Sequence, residues 1–299
     1  MVDLNILKGF VMVVKLGTMT RAAQAMCVTQ SALSKQMKAL EEEFGCKLLS
    51  RSGPGVMPTV SGQILYERAG YMLSLYDKTK EDLTEGELWS GDIRVGAPET
   101  CHFDIFVRLL GRFREDYPQV RCHITSGMTE LINERLDKGI LDLALISGQP
   151  DLKRYNCLQY PACDVWGVLM RRDHVLALKK QITCRDLMGY KLMLSPQGLT
   201  EELGRWCGDK LDKLCISDTV NLIYNGTIMV REGVCLGLAY QGLADTSEDS
   251  ALTWRPLYPR LATPLYLIWG RQSFTPVVER FLNFLKEKLP TLPVDSEQS

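Results

Sequence analysis

"GTMTRAAQAMCVTQSALSKQMKALEEEFGCKLLSR", residues 17–51, holds two helix starts within a dozen positions. Thr18 and Thr29 each precede a run that can be helical, and a hydroxyl at that place accepts from backbone N–H groups that have no intrahelical partner. Ala22, Ala23 and Ala25 are small enough to let another helix cross closely. "CVT" leaves only a tight turn before the next helix, which ends near Phe44 and Gly45. Helix, short turn, helix is the result.

On the helix that Thr29 opens, Leu33, Met37, Leu40 and Phe44 form one stripe. Ser31, Ser34, Lys35 and Lys38 fall on another face at spacings of three and four, with Gln30 in the first turn. Gln near a helix start matches adenine in the major groove, Ser is promiscuous, and Lys reaches guanine or phosphate. An ordinary solvated face of a bundle helix has the same pattern, so the flanks must decide.

Upstream, Leu4, Leu7, Val11 and Val14 predict an amphipathic helix over 3–16 that stops near Gly17. Downstream, "KLLSRSGPGVMPTVSG" has two short extended runs joined by Ser52-Gly53-Pro54-Gly55, with Arg51 at the edge, which predicts a small β-wing. From Thr59 or Ser61 to about Leu88, Leu65, Ala69, Met72, Leu73, Tyr76 and Leu83 predict a long helix. Its apolar stripe exceeds what one small domain requires, so it is expected to pack on another chain.

After Gly91 strands alternate with helices: "DIRVGAP", a helix over 103–116 stopped by Tyr117-Pro118, "VRCHITS", a helix over 128–138, and "LDLALIS". "DVWGVLMRR", "KLMLS" and "GVCLGLAY" continue the strands, and "PLYLIWGRQ" with a helix over 275–288 closes the series. Such alternation predicts a parallel α/β sheet, here as two linked lobes.

A chain of 299 residues, 45% hydrophobic, suits two or three domains. The formal charge of −1 excludes a uniformly basic nucleic-acid binder. Residues 1–65, however, hold seven basic against four acidic side chains, a net of +3, which leaves −4 for the rest. A basic head on an acidic body suggests different partners for the two parts. "LNILKGFVMVV" reads as a helix rather than a signal segment, because Asp3 precedes it and Lys8 interrupts it. No stretch of about 18 consecutive apolar residues predicts a membrane span. Ten cysteines without an export signal point to the reducing cytoplasm.

Residues 17–51 closely resemble the DNA-binding signature of the LysR-type transcriptional regulators. The matches include Ala22-Ala23, Thr29-Gln30-Ser31, Ser34, Leu40-Glu41, Gly45, Leu48 and Arg51, followed by "TVSG" where the family usually has T-x-A-G. The resemblance implies a mixed α/β chain: a winged helix-turn-helix head over 1–60, a dimerising linker helix over 61–90, and a two-lobed effector domain like a periplasmic binding protein. Lobe 1 would comprise 91–161 and 266–290, lobe 2 would be 162–265 with crossovers near 161 and 266, and 291–299 would be a flexible tail.

It further implies a cytoplasmic regulator, not an enzyme, that binds double-stranded promoter DNA as a homodimer joined by the linker helix, and as a homotetramer. RNA polymerase is a further implied partner, a membrane is not, and no cofactor or metal is implied. Gln30, Ser31, Ser34 and Lys35 would face base edges, with Thr29, Lys38 and Arg51 on phosphates.

Ligands in open α/β sheets collect where strand ends meet helix N-termini. By resemblance Thr100, Cys101 and Thr129 would hold a small-molecule effector, Ser147 would line the floor, and Ser195, Pro196 and Gly198 would face them. Each also suits a cap or turn. Some relatives that bind carboxylates carry Arg where this chain has Ser147, and Glu99 at the mouth, if it points inward, would oppose an anion or pair with a cationic or hydroxyl group.

Other readings are weaker. Cys101-His102 and Cys122-His123 invite a metal site, but adjacent strand residues point to opposite faces. Cys207 and Cys215 lie roughly where peroxide-sensing relatives keep a redox pair, yet Leu199 best matches the reactive position. No nucleophile elbow, P-loop or G-x-G-x-x-G after a strand supports an enzyme. A solute-binding protein would fit 91–290 but needs an export signal and no DNA-binding head.

Overall fold

A computed structural model describes residues 3–52, 55–82, 90–196, 201–271 and 273–293. The chain divides into two compact units, 1–85 and 86–299.

The first unit is built by local signals. Helix α1 (Leu4–Leu16) starts at Asp3, whose carboxylate accepts from the Asn5 amide at 2.8 Å, and ends at Gly17 with φ of 70°. Thr18 caps α2 (Met19–Ala25) by accepting from the Arg21 amide. Helix α3 (Gln30–Phe44) follows after the tight turn and stops at Gly45, again left-handed with φ of 65°. Strands β1 (Leu49–Ser52) and β2 (Gly55–Pro58) pair antiparallel as the wing, with Arg51 opposite Val56. The Val56 amide donates to the Gly17 carbonyl and ties the wing to the turn between α1 and α2.

Helix α4 (Val60–Asp82) completes this unit. Its Leu65 and Ala69 join Phe10, Val13, Ala22, Leu33, Met37 and Leu40 in one core. Ile64, Met72, Leu75 and Tyr76 of the same helix are exposed. The expected continuation to Leu88, with Leu83, lies outside the described residues.

The second unit contains β3 (Gly91–Ala97), α5 (Phe103–Asp116), β4 (Val120–Ser126), α6 (Thr129–Asp137), β5 (Leu143–Ser147) and β6 (Asn156–Arg171). It continues with β7 (Lys191–Leu194), α7 (Glu201–Cys207), β8 (Cys215–Thr219), α8 (Ile223–Arg231) and β9 (Leu236–Tyr240). Strands β10 (Leu252–Pro256) and β11 (Ala262–Trp269) and helix α9 (Pro276–Lys288) follow.

Among the described residues these strands form one sheet of nine in the order β4-β3-β5-β11-β6-β9-β7-β8, with β10 on β6. The β3–β4, β3–β5, β7–β8 and β7–β9 pairings are parallel, whereas β6 and β11 run antiparallel to their neighbours. Strand β6 is the spine: residues 156–165 pair with β11, and 166–171 with β9 and β10. The expected crossover positions, 161 and 266, fall inside β6 and β11.

Each half of the sheet has its own core. Phe106, Phe113, Phe281 and Leu285 pack on Ile93, Val95, Leu143 and Leu267, and Val168, Leu192, Leu194, Leu203 and Leu238 make the other.

Candidate functional site

In the first unit, amphipathicity orients α3. Leu33, Met37 and Leu40 are at most 3% exposed, while Gln30, Ser31, Ser34, Lys35 and Lys38 all face solvent. The close approach of α1 fixes this rotation, because a Cβ on Gly9 would sit 3.0 Å from the Leu33 side chain. The Thr29 hydroxyl serves the helix itself, accepting from the Ala32 amide at 3.2 Å and lying 3.2 Å from Ser31 Oγ. An open groove runs along α3 between Thr18, Gln30, Ser34, Lys38 and the wing residues Ser50 and Val56. Lys38 has Glu42 at 3.7 Å as an exposed i,i+4 neighbour, which is too weak to withhold it from a phosphate. The Arg51 side chain lies outside the described residues.

Glu41 had a place in the signature but no task. Its Oε1 accepts from the amides of Leu48 and Leu49 at 2.9 and 3.2 Å, and its Oε2 meets Lys47 Nζ at 2.6 Å. Burial pushes its carboxyl upward, but the Lys47 ammonium and the two amides outweigh that and hold it below the ordinary range. Thr59 acts beside it by donating to the Lys47 carbonyl and accepting from the Gly62 amide. A Cβ on Gly62 would lie 1.9 Å from the Leu48 carbonyl oxygen, which accounts for glycine at the end of "TVSG".

In the second unit, strand ends converge on a cleft of about 590 Å³, including the part open to solvent. Pro98 and Glu99 come from the end of β3, Gly127 and Met128 from the approach to α6, and Ser147 from β5. Trp166, Ser195, Asn221, Ile223 and Tyr240 face them from the other half. Register sets Trp166 beside Tyr240, with ring centroids 4.5 Å apart.

The expected ligand-holding residues divide. Ser147 and Ser195 line the cleft. Thr100 is buried behind the wall, where its hydroxyl donates to Asp164 Oδ1 at 2.6 Å and accepts from the His102 amide at 3.1 Å. Thr129 opens α6 next to the lining residues Gly127 and Met128. Cys101 is exposed and packs against Gly242, while Pro196 is exposed after β7. Gly198 lies outside the described residues.

The polar centre is Asp164, which is absent from the sequence-based expectations. Burial pushes its carboxyl up to about 6, against the hydrogen bond from Thr100, the nearby His102 and the Ser147 hydroxyl. Ser147 Oγ is 3.5 Å from Asp164 and 3.2 Å from the Tyr240 hydroxyl, which links the buried acid to the cleft. A lone carboxylate opening the apolar run "DVWGVLM" was the available signal.

Glu99 points inward, and its Oε2 accepts from the Ile223 amide at 2.6 Å, at the first residue of α8.

Neither the metal nor the redox reading gains geometry. Among the described residues no three His, Cys, Asp or Glu side chains are grouped as metal ligands. All ten cysteines are free thiols. Cys207 is buried, and its sulfur partner is Cys184 rather than the exposed Cys215. Burial, and after it Cys184, pushes the Cys207 thiol up to about 12, away from reactive thiolate. No described helix is long and apolar enough to cross a membrane.

Two protein families match this chain. Residues 4–63 match the bacterial regulatory helix-turn-helix proteins of the lysR family, and residues 86–290 match the LysR substrate binding domain. The HTH-type transcriptional regulator YtlI of Bacillus subtilis is 28% identical over 243 residues, 79% of this chain and 77% of that one. CysL of the same organism is 28% identical over 231 residues, 77% and 75% of the two chains. The fold matches the crystal structure of CbnR, a LysR family transcriptional regulator, with a TM-score of 0.76 at 19% identity over 96% of this chain and 99% of that one. Full-length CbnR complexed with its target DNA matches with a TM-score of 0.73 at 20% identity over the same shares.

Proposed function

The chain belongs to the LysR-type transcriptional regulators, and on that premise we propose how its DNA binding and its ligand cleft divide the work. Helix α3 presents Gln30, Ser31, Ser34 and Lys35 to base edges in the major groove, while Lys38, Arg51 and the N-terminal turn at Thr29 hold phosphates. The observation that carries this is the clean split of α3 into a buried Leu33, Met37 and Leu40 stripe and an exposed polar face.

A small-molecule effector binds in the cleft against Ser147, Ser195 and Tyr240, with Cys101, Thr129 and Pro196 at its margins and Thr100 acting through Asp164. The protein works in the cytoplasm by binding alone and catalyses no reaction. Exposed Ile64, Met72, Leu75 and Tyr76 on α4 support a homodimer through that helix. Two dimers join on promoter DNA, and RNA polymerase is the partner that reads their state.

Selection from random duplexes with the full-length protein tests this reading. Two half-sites spaced by about ten base pairs or a multiple are expected. Recovery of no sequence above background would overturn it.

A further inference from the structure

We propose that Glu99 sets the charge class of the effector: its carboxylate occupies the anion seat at the start of α8, so the cleft admits neutral or cationic polar groups and turns carboxylates away. This rests on reading the cleft as the effector site.

Three observations converge. First, the first amides of a helix lack intrahelical acceptors and, with the helix dipole, favour an anion. Helix α8 has no side-chain cap from its own N-cap residue, Leu222, and the Ile223 amide donates instead to Glu99 across the cleft at 2.6 Å. Glu99 and Ile223 are 124 residues apart and come from opposite halves of the sheet, so the bond spans the ligand's own space. Second, Glu99 is the only charged side chain among the described residues lining the cleft. No cation there would neutralise an incoming carboxylate. Third, the carboxyl reached behind the wall through Ser147 is a second acid, Asp164, which has Thr100 and His102 beside it.

An entering carboxylate would therefore meet a seat already filled with the same charge, in partly apolar surroundings of Pro98, Met128 and Leu238 where repulsion is poorly screened. An ammonium, amide or hydroxyl donor can share the Glu99 carboxylate without displacing it. The family's use of this cleft does not dictate that choice; the residue at 99 does.

The test uses the full-length protein with Glu99→Gln and Glu99→Ala. Hydrogen exchange of the segment 221–228 reads the seat. Glu99→Ala should speed exchange of the first turn of α8 by about tenfold. Sodium acetate should reverse this and sodium chloride at the same concentration should not. Glu99→Gln, which keeps a carbonyl acceptor, should stay near wild type. Acetate that fails to slow exchange in Glu99→Ala overturns the seat.

Calorimetry with phenylacetate, phenylacetamide and phenethylamine reads the charge class. Wild type should bind the amine and the amide at least about tenfold more tightly than the acid, and Glu99→Ala should raise affinity for the acid by a similar factor. Equal affinity of wild type for acid and amine overturns the proposal. If no variant binds any of the three probes, the reading of the cleft as a ligand site falls and the charge-class proposal with it, while acetate protection still reports on the seat by itself.

Discussion

Glu41 Oε1 accepts a hydrogen bond from the Leu48 amide at 2.9 Å and thereby fastens the end of α3 to the start of the wing. The neighbouring amide of Leu49 and the ammonium of Lys47 share the same carboxylate. Removing it by Glu41→Ala strands partly buried amides and should cost about 1–3 kcal/mol, read as a lower urea midpoint for the first unit. Because the Glu41 carboxyl is held below its ordinary range, its contribution is present at neutral pH and should be lost as pH falls through about 4.5 and lower. An unchanged midpoint at pH 7 would remove Glu41 from the account.

Leu48 is held from its other side as well, since its carbonyl accepts from the Thr59 amide at 2.9 Å and lies where a Gly62 side chain would have to go. Gly62→Ala forces backbone apart and should destabilise by about 2–4 kcal/mol in the same unfolding measurement. Gly70→Ala on the same helix, with open space around its Cβ, is the control and should be neutral or slightly stabilising.

Asp164 gives the second unit a distinct pH response. Its folded-state value of about 6 lies above the 3.8 of an unperturbed carboxyl, so the folded protein binds the proton more tightly. Stability from this group is complete below about pH 4 and declines as pH rises to about 6, by roughly 3 kcal/mol in all. Wild type should therefore lose stability relative to Asp164→Asn over that window and run parallel to it above. A constant difference from about pH 4 to pH 8 would contradict the assignment.

Thiol chemistry should follow burial. Brief iodoacetamide treatment of the native protein at about pH 8 is expected to label exposed Cys27, Cys101 and Cys215 and to spare buried Cys184, Cys207 and Cys235, with mass spectrometry as the readout. Rapid labelling of Cys207 would revive a redox role for that half of the chain.

The first unit was legible because its instructions are local. Thr18 and Thr29 start helices, Gly17 and Gly45 stop them, and Leu33, Met37 and Leu40 are buried as their spacing predicts, whereas Phe44, expected on the same stripe, is 47% exposed at the end of α3. The middle of the second unit was not. Strands β8 ("CISDT") and β10 ("LTWRP") are short and carry polar residues, and they owe their form to pairing with β7 and β6. Helix α8 contains Gly226 and β-branched residues that disfavour helix; a Cβ at 226 would meet Met193 at 2.5 Å, so packing overrides propensity there.

The cleft shows the same limit. Ser147 ends β5 and Ser195 follows β7, and both, expected at the cleft from the family resemblance, line it. Asp164 becomes a buried acid only because Thr100, 64 residues away, folds onto it. Thr100, expected at the ligand, donates to Asp164 at 2.6 Å, a partner that the spacing of the sequence does not reveal.

Base reading by α3 shows in the ratio of affinities for a selected operator and a random duplex, measured at one salt concentration. Gln30→Ala and Lys35→Ala should each lower that ratio by about tenfold or more, with little change on random DNA. Lys38→Ala and Arg51→Ala should weaken both duplexes by the same factor and reduce the salt slope by about one. Equal losses on both duplexes for all four variants would contradict the account.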